Sequence, residues 1–193
     1  MHTVIRLTAL LLAAALTLTA CGDTDAAKTS ASEHNDADIV FATDMIQHHA
    51  QALSMVDMTM GRKLDPEVQT LAEDVRAAQA PEIEIMADWL QDWDQPVPET
   101  VRDHANAHGD GMEMDAGMPG MMSAEQMRTL EAAQGIEFQD MWLEMIIEHH
   151  QGAIEMAETQ QADGKYQPAV GLAKDVETAQ RAEIARLQSL LPS

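Results

Sequence analysis

Apolar side chains recur through most of the chain at spacings of three and four residues, the spacing of one face of an α-helix. Two stretches carry the same apolar stripe, and each has a histidine at its third position. The first stripe consists of Phe41, Met45, His48, Ala52 and Met55, and the second of Trp142, Ile146, His149, Ala153 and Met156. The pattern therefore predicts two long helices, each of which buries an imidazole in its apolar face.

Capping residues place the helix ends. Long helices are expected at about 38–60, 65–93, 136–162 and 168–191, and a short one from Ser123 to near Gly135. Gly61 is a natural helix-ending residue, Asp65 is an N-cap followed by proline, and Ser123 begins a capping box. Pro81 is predicted to kink or locally break the second helix.

The chain contains an internal repeat with an offset of 101 residues. His48-His49 recurs as His149-His150, and the same offset aligns the helices that follow, including Glu82 with Glu183. This repetition indicates a duplicated helix–turn–helix unit. We predict an all-α fold, an antiparallel, ferritin-like four-helix bundle at 38–193, with repeat 1 at about 38–93, a Met/His-rich crossover at 94–122 and repeat 2 at about 123–192.

The N-terminus has the pattern of an export signal. Residues 1–20 combine Arg6 with an apolar run that is short for a membrane span, and the run ends at small residues before Cys21. This pattern predicts a bacterial lipoprotein signal peptide with Cys21 as the lipidated residue, followed by a flexible tether at 21–37. An ordinary secretory signal is the alternative. Both place the mature protein outside the cytoplasm, the first one anchored to a membrane.

Composition excludes several classes of function. The formal net charge is -22, so binding to the phosphates of nucleic acids is disfavoured. A single cysteine excludes an intramolecular disulfide and a cysteine-built zinc or iron–sulfur site. Aromatic residues make up 3% of the chain, which disfavours a β-rich fold. The unusual feature is the presence of 15 methionines and 8 histidines in so acidic a chain.

Methionine and histidine together point to a soft metal ion. Thioether sulfur suits Cu(I) and, by the same softness, Ag(I), while imidazole binds both oxidation states of copper. Adjacent histidines lie about 100° apart around a helix, so one of each pair is expected to face the core and the other a groove between helices. The candidate ligands are Met45, His48, His49, Met55, Met145, His149, His150 and Met156.

Two carboxylates are predicted beside these imidazoles. Glu82 and Glu183 lie on the inward stripes of the second helix of each unit. A buried carboxylate is costly unless it is paired. We therefore expect each to pair with a histidine of the facing helix and to orient that ring.

The crossover carries a second group of soft donors. These residues are His104, His108, Met112, Met114, Met118, Met121 and Met122. Methionines in a Gly-rich loop have no packing reason to be there, so we predict an exposed loading site for Cu(I). A low-complexity linker without function is the alternative.

Other functions fit the residues less well. A carboxylate-bridged di-iron site expects Glu-x-x-His on two helices, and no glutamate precedes a histidine by three residues in either His-His pair. Covalent haem attachment lacks its Cys-x-x-Cys-His motif. A redox enzyme with a mixed His/carboxylate metal site remains open, as does a structural or partner-binding bundle with inert core histidines.

Two stretches resemble the domain-of-unknown-function 305 family, namely DIVFATDMIQHHAQALSMVD and MMSAEQMRTLEAAQGIEFQDMWLEMIIEHHQGAIEMAE. The resemblance spans about residues 36–191 and implies a ferritin-like bundle exported in bacteria, with some members tied to copper binding and resistance. Many members have two consecutive methionines before each His pair, whereas this chain has one. The resulting hypothesis is an extracytoplasmic protein that binds Cu(I), with Ag(I) as a second ion, for sequestration, resistance or transfer. Any transfer partner and the oligomeric state stay open.

Overall fold

The computed structural model describes residues 33–100 and 117–192, and the described part of the chain contains helices and no strand. The helices are α1 (Asp36–Asp57), α2 (Pro66–Asp92), α3 (Ala124–Ala132), α4 (Gly135–Asp163) and α5 (Gln167–Leu190). The predicted all-α fold is confirmed, and the helix ends lie within a few residues of those expected. None of the described helices is both long enough and apolar enough to cross a membrane.

The caps explain where the helices begin. The Asn35 side chain accepts a hydrogen bond from the Asp38 backbone N–H, and the Asp38 carboxylate accepts one from the Asn35 N–H, which is a complete capping box. As a result α1 begins at Asp36 rather than at 38. Gly61 has a φ of 75°, the left-handed conformation expected after α1, and Ser123 forms its predicted capping box.

Helix α2 continues through Pro81, so the predicted local break does not occur. Proline removes the hydrogen bond to the carbonyl of Ala77, four residues earlier. Both Ala77 and Pro81 are exposed, so water can bond this carbonyl. Buried residues on either side of Pro81, Val75 before it and Met86 after it, hold the two parts of the helix against the core.

The four long helices pack as a bundle in which α1 lies antiparallel to α4. At one end the buried Asp38 carboxylate accepts a hydrogen bond from the Gln160 side chain at 2.6 Å. Towards the other end the indole N–H of Trp142 donates to the backbone carbonyl of Met55 at 3.0 Å. Helix α2 packs on α1, α5 packs on α4, and the short α3 packs on α4.

The core has two apolar clusters, one on each side of the middle of α1 and α4. The first includes Met55, Leu71, Phe138 and Trp142, and the second includes Phe41, Met45, Met86 and Leu90. Each fully buried side chain of this size contributes about 1.5–3 kcal/mol through removal of apolar surface from water. The apolar stripes predicted from the sequence therefore form the seam between α1 and α4.

The end of the predicted tether belongs to the folded part. The Asn35 side chain donates to the backbone carbonyl of Asp163 at 2.8 Å, Glu33 pairs with Lys165 at 2.7 Å, and His34 stacks on Trp93 with ring centres 4.5 Å apart. The predicted signal peptide at 1–20, Cys21 and the predicted tether up to residue 32 lie outside the described residues.

Candidate metal centre

Four histidines form a layer across the middle of the bundle. His48, His49, His149 and His150 are all fully buried, with 0% of their surface exposed. The layer lies between the two apolar clusters because α1 and α4 run antiparallel and each carries its His-His pair near its midpoint. The sequence prediction that one histidine of each pair faces the core understates the burial, since none of the four is exposed.

His48 and His149 face each other across the α1–α4 seam. Their ring centres are 3.7 Å apart and their planes are tilted by 38°. The Nε2–H of His48 donates a hydrogen bond to the backbone carbonyl of Pro119 at 3.0 Å. The Nδ1 atom of His48 and both ring nitrogens of His149 have no hydrogen-bond partner within the described part of the chain.

These two imidazoles are neutral at physiological pH. The pKa of His48 is lowered to about 3, mainly by burial and in part by the neighbouring His49 and His150, while the hydrogen bond to Pro119 opposes the shift. Burial also holds the pKa of His149 well below its usual value, helped by the neighbouring His48, His150 and His49, while an interaction with the His48 backbone opposes the shift. A neutral imidazole nitrogen with a free lone pair is the form that binds metal ions.

His49 and His150 are paired with the two predicted carboxylates. His49 Nε2 lies 2.7 Å from an Oε2 of Glu82, and His150 Nε2 lies 2.7 Å from an Oε2 of Glu183. The two pairs occupy equivalent positions of the repeat, 33 residues apart in each half. Carboxylate partners fix the orientation of an imidazole and raise its basicity. In the structure each glutamate contacts the second histidine of a pair.

Methionine sulfurs flank the histidine layer on both sides. Met55 belongs to the first apolar cluster together with Met145, and Met45 belongs to the second, with Met156 packed against it. Met45 and Met55 are fully buried, Met145 is 7% exposed, and Met156 is half-buried. Of the eight predicted ligands, the four histidines lie together in the layer, and the methionines lie in the two apolar clusters on either side of it.

The last residues of the crossover cover the histidine layer, which corrects one prediction. Met122 is buried in the first cluster with 1% exposure, and Met118 and Met121 are half-buried, so Met122 is not part of an exposed loading site. His104, His108, Met112 and Met114 lie outside the described residues.

We name residues 117–122 the strap. Two hydrogen bonds of 2.8 Å, from the Gln51 amide to the Met122 carbonyl and from the Met122 N–H to the Gln51 amide oxygen, tie its end to α1. On the other side it packs against Gly152 of α4, where an added Cβ would lie 2.0 Å from the Pro119 oxygen. Pro119, Gln51 and Gly152 were missed by reasoning from the sequence. The glycine in the middle of a helix is the one signal that pointed to such a contact.

The donors fit a soft ion better than a hard one. Within the described residues, no three or more His, Cys, Asp or Glu side chains are grouped so that they could hold a metal. The carboxylate-rich grouping that a di-iron site requires is thus not present in this part of the chain. The available donors are unpartnered imidazole nitrogens and thioethers, a set that suits Cu(I) and Ag(I).

Solved structures with the same architecture include copper-binding proteins. A DUF305 protein from Streptomyces coelicolor aligns with a TM-score of 0.68 and 29% identity over 80% of this chain and 89% of that one. A DUF305 fragment from Deinococcus radiodurans aligns with a TM-score of 0.69 and 26% identity over 81% of this chain and 95% of that one. CopM in its Cu(II)-bound form aligns with a TM-score of 0.65 and 29% identity over 79% of this chain and 93% of that one. CopM is also known in Cu(I)-bound and Ag-bound forms.

The sequence comparison agrees with the structural one. No curated protein matches the sequence. The model of one protein family, described as "Domain of unknown function (DUF305)", matches residues 38–191, which is the whole bundle including the crossover. The duplicated His-His helices and the histidine layer that they form lie within this match, and the chain belongs to the DUF305 family.

Proposed function

We propose that this protein binds Cu(I), and Ag(I) in the same way, outside the cytoplasm and serves copper sequestration, resistance or transfer. The observation that carries the proposal is the buried, neutral pair His48 and His149, which face each other with three ring nitrogens unpartnered among the described residues. Copper-bound and silver-bound structures of CopM, at 26–29% identity, support the choice of ion.

The chemistry of the seam favours the reduced ion. Cu(I) prefers thioether and imidazole over carboxylate ligands, and a desolvated site stabilises an ion that carries a single charge more readily than one that carries two. Met55 and Met156, at equivalent positions of the repeat, supply thioethers on opposite sides of the histidine layer. His49 and His150, each already bonded to a glutamate, would complete the set or hold the inner pair in place.

The location rests on the N-terminal sequence. The apolar segment that ends at Cys21 supports export and lipid anchoring. A relative of this family from Streptomyces coelicolor is named as a secreted protein, which agrees with export. We also retain, as part of the proposal, an exposed loading role for the crossover donors that precede the strap.

The test is a competition titration of the purified protein with a Cu(I) chelator of known affinity. Replacement of both His48 and His149 by alanine is expected to lower the Cu(I) affinity by at least a hundredfold, because the two central ligands are lost. The matched control is His34→Ala, since His34 stacks on Trp93 at the end of the bundle and lies away from the seam. Its affinity should equal that of the wild type.

A second pair of variants tests the sulfurs without a large change of volume. Met55→Leu and Met156→Leu keep the side-chain size and remove the thioether, a swap that cores tolerate. Each is expected to weaken Cu(I) binding, while Met60→Leu, at a position that is 70% exposed, should not.

Three results would contradict the proposal. Tight Cu(I) binding by the variant that lacks both His48 and His149 would assign the metal site to the crossover instead. If the wild-type protein does not bind Cu(I) but consumes oxygen when iron(II) is added, the alternative hypothesis of a redox enzyme would be favoured. A protein that responds to neither Cu(I), iron(II) nor zinc(II) would favour a structural bundle.

A further inference from the structure

The two central histidines are equivalent in sequence but not in structure. His48 and His149 occupy the same position of the repeat, yet His48 is bonded to Pro119 whereas His149 has no hydrogen bond within the described residues. The difference arises because the two repeat units share a single crossover, and its strap crosses the seam on one side of the pair. The sequences of the two units also differ where they contact the strap. The position of Gln51 in α1 is occupied by Gly152 in α4, and both residues contact the strap.

The strap is fixed firmly enough to act as a rigid hydrogen-bond acceptor. Gly120 has a φ of 72° and lies against the backbone of α4, where an added Cβ would be 2.7 Å from the Glu148 carbonyl. Met122 is buried in the core at the end of the strap, and two hydrogen bonds between its backbone and the Gln51 side chain hold it there. The Pro119 carbonyl directly precedes these two anchors and lies against Gly152 of α4, so it has little freedom to move.

This carbonyl determines which nitrogen of His48 carries the proton. A carbonyl oxygen only accepts hydrogen bonds, so Nε2 must be the protonated nitrogen. In a neutral imidazole the lone pair is then on Nδ1, and Nδ1 has no hydrogen-bond partner within the described residues. The other ring nitrogen of a metal-ligating histidine is commonly bonded to a backbone carbonyl in this way.

We propose that Pro119 makes His48 the fixed ligand, which binds the metal through Nδ1, and leaves His149 as the ligand that moves. This inference rests on the function proposed above. Pro119 acts as a positioning residue through its backbone carbonyl, and it selects both the tautomer and the immobile member of the pair.

The distance between the rings requires one of them to move. With metal–nitrogen bonds of about 2 Å, two imidazoles in linear coordination of one ion have ring centres about 6 Å apart. In the structure the centres of His48 and His149 are 3.7 Å apart. Rotation of His48 would break its part-buried hydrogen bond to the Pro119 carbonyl, which costs free energy. Rotation of His149 breaks no hydrogen bond to a described residue.

The direct test is nitrogen NMR of the full-length chain with ¹⁵N-labelled histidine. Without metal, His48 is expected to show a protonated Nε2 and an unprotonated Nδ1 at neutral pH. After addition of Ag(I), which is diamagnetic and has a nuclear spin, coupling to silver is expected at Nδ1 of His48 while Nε2 keeps its proton. A protonated Nδ1 in the apo protein, or silver bound at Nε2 of His48, would overturn the proposal.

Two glycine variants provide a matched comparison. In Gly152→Ala the new methyl would lie 2.0 Å from the Pro119 oxygen, so the strap must shift and the bond to His48 is lost. We expect a mixture of His48 tautomers and about a tenfold weaker Ag(I) and Cu(I) affinity. Gly171→Ala makes the same change in α5, where nothing lies within 4 Å, and should keep one tautomer and the wild-type affinity. An unchanged tautomer in folded Gly152→Ala would contradict the role of Pro119.

The experiment separates this inference from the proposed function. If no metal binds but His48 carries its proton on Nε2, the tautomer selection stands and the copper function fails. If metal binds through His149 and methionines while His48 stays unperturbed, the copper function stands and the role assigned to Pro119 fails. The wild-type spectra decide both points even if Gly152→Ala does not fold.

Discussion

The buried imidazole of His48 makes the stability of the folded protein depend on pH in a defined window. The pKa of His48 is about 3 in the folded state, against 6.5 for an ordinary histidine. Between these values the unfolded chain binds a proton that the folded protein does not bind. The free energy of unfolding therefore falls as the pH drops from 6.5 towards 3, and above 6.5 this group contributes no pH dependence.

Replacement of His48 by glutamine should remove the contribution of His48 to the pH dependence of the unfolding free energy. Glutamine does not titrate, and its amide N–H can still donate to the Pro119 carbonyl. The slope approaches about 1.4 kcal/mol per pH unit below 6.5, so wild type loses roughly 2 kcal/mol from His48 between pH 6.5 and 4.5. The gap in unfolding free energy between wild type and His48→Gln should shrink by that amount over this range.

Urea denaturation followed by far-ultraviolet circular dichroism at pH 7.0, 6.0, 5.0 and 4.5 measures this gap. Ile146→Val is the control, because it removes one buried methylene from the same seam, costs about 1 kcal/mol and carries no titrating group. Its curve should run parallel to that of the wild type. Parallel curves for wild type and His48→Gln across the whole range would refute the reasoning, since they would mean that His48 takes up its proton equally in both states.

Three further predictions follow from the same structure. Chelator competition should show a Cu(I) affinity that changes less than about twofold between pH 7 and 5, whereas an imidazole with an ordinary pKa would lose about 30-fold. Trp142→Phe leaves the buried carbonyl of Met55 without its donor and should lower the unfolding free energy by about 1–3 kcal/mol in urea denaturation; an unchanged value would contradict this. Asp38→Asn weakens the hydrogen bonds that the Lys165 and Tyr166 backbone N–H groups donate, and it should lower the unfolding free energy by roughly 2 kcal/mol in urea denaturation. The Cu(I) affinity should stay the same; a changed affinity would show that this end of the bundle is coupled to the histidine layer.

The helices and the buried stripes could be predicted because their signals are local. Periodic apolar residues, the caps at Asp65 and Ser123 and the glycine at 61 each act within a few residues of their own position. The repeat then predicted a buried imidazole at the equivalent position of each unit, His48 and His149, because both carry the same apolar stripe. The glutamates could be paired with histidines for the same reason, since a carboxylate on an inward stripe needs a partner.

The strap and the start of the folded part could not be predicted because their contacts join distant residues. Met122 looked like a loop methionine, and only the approach of Gly120 to Gly152 carries the chain over the seam and buries it. Asn35 and Asp38 lie in a polar stretch without periodicity, and their bonds to Asp163 and Gln160 bridge more than a hundred residues. No local pattern encodes such pairings, although a glycine inside an otherwise apolar helix was a usable hint.

The bonds around Asp38 also determine where the protein would resist a mechanical pull from its N-terminal side. Force applied at Glu33 acts first on the ion pair with Lys165, on the bond from Asn35 to Asp163 and on the Asp38 carboxylate with its backbone donors. His48 lies ten residues further along α1, about 15 Å away. A pull at Glu33 would therefore load these contacts at the end of the bundle before it reaches the histidine layer.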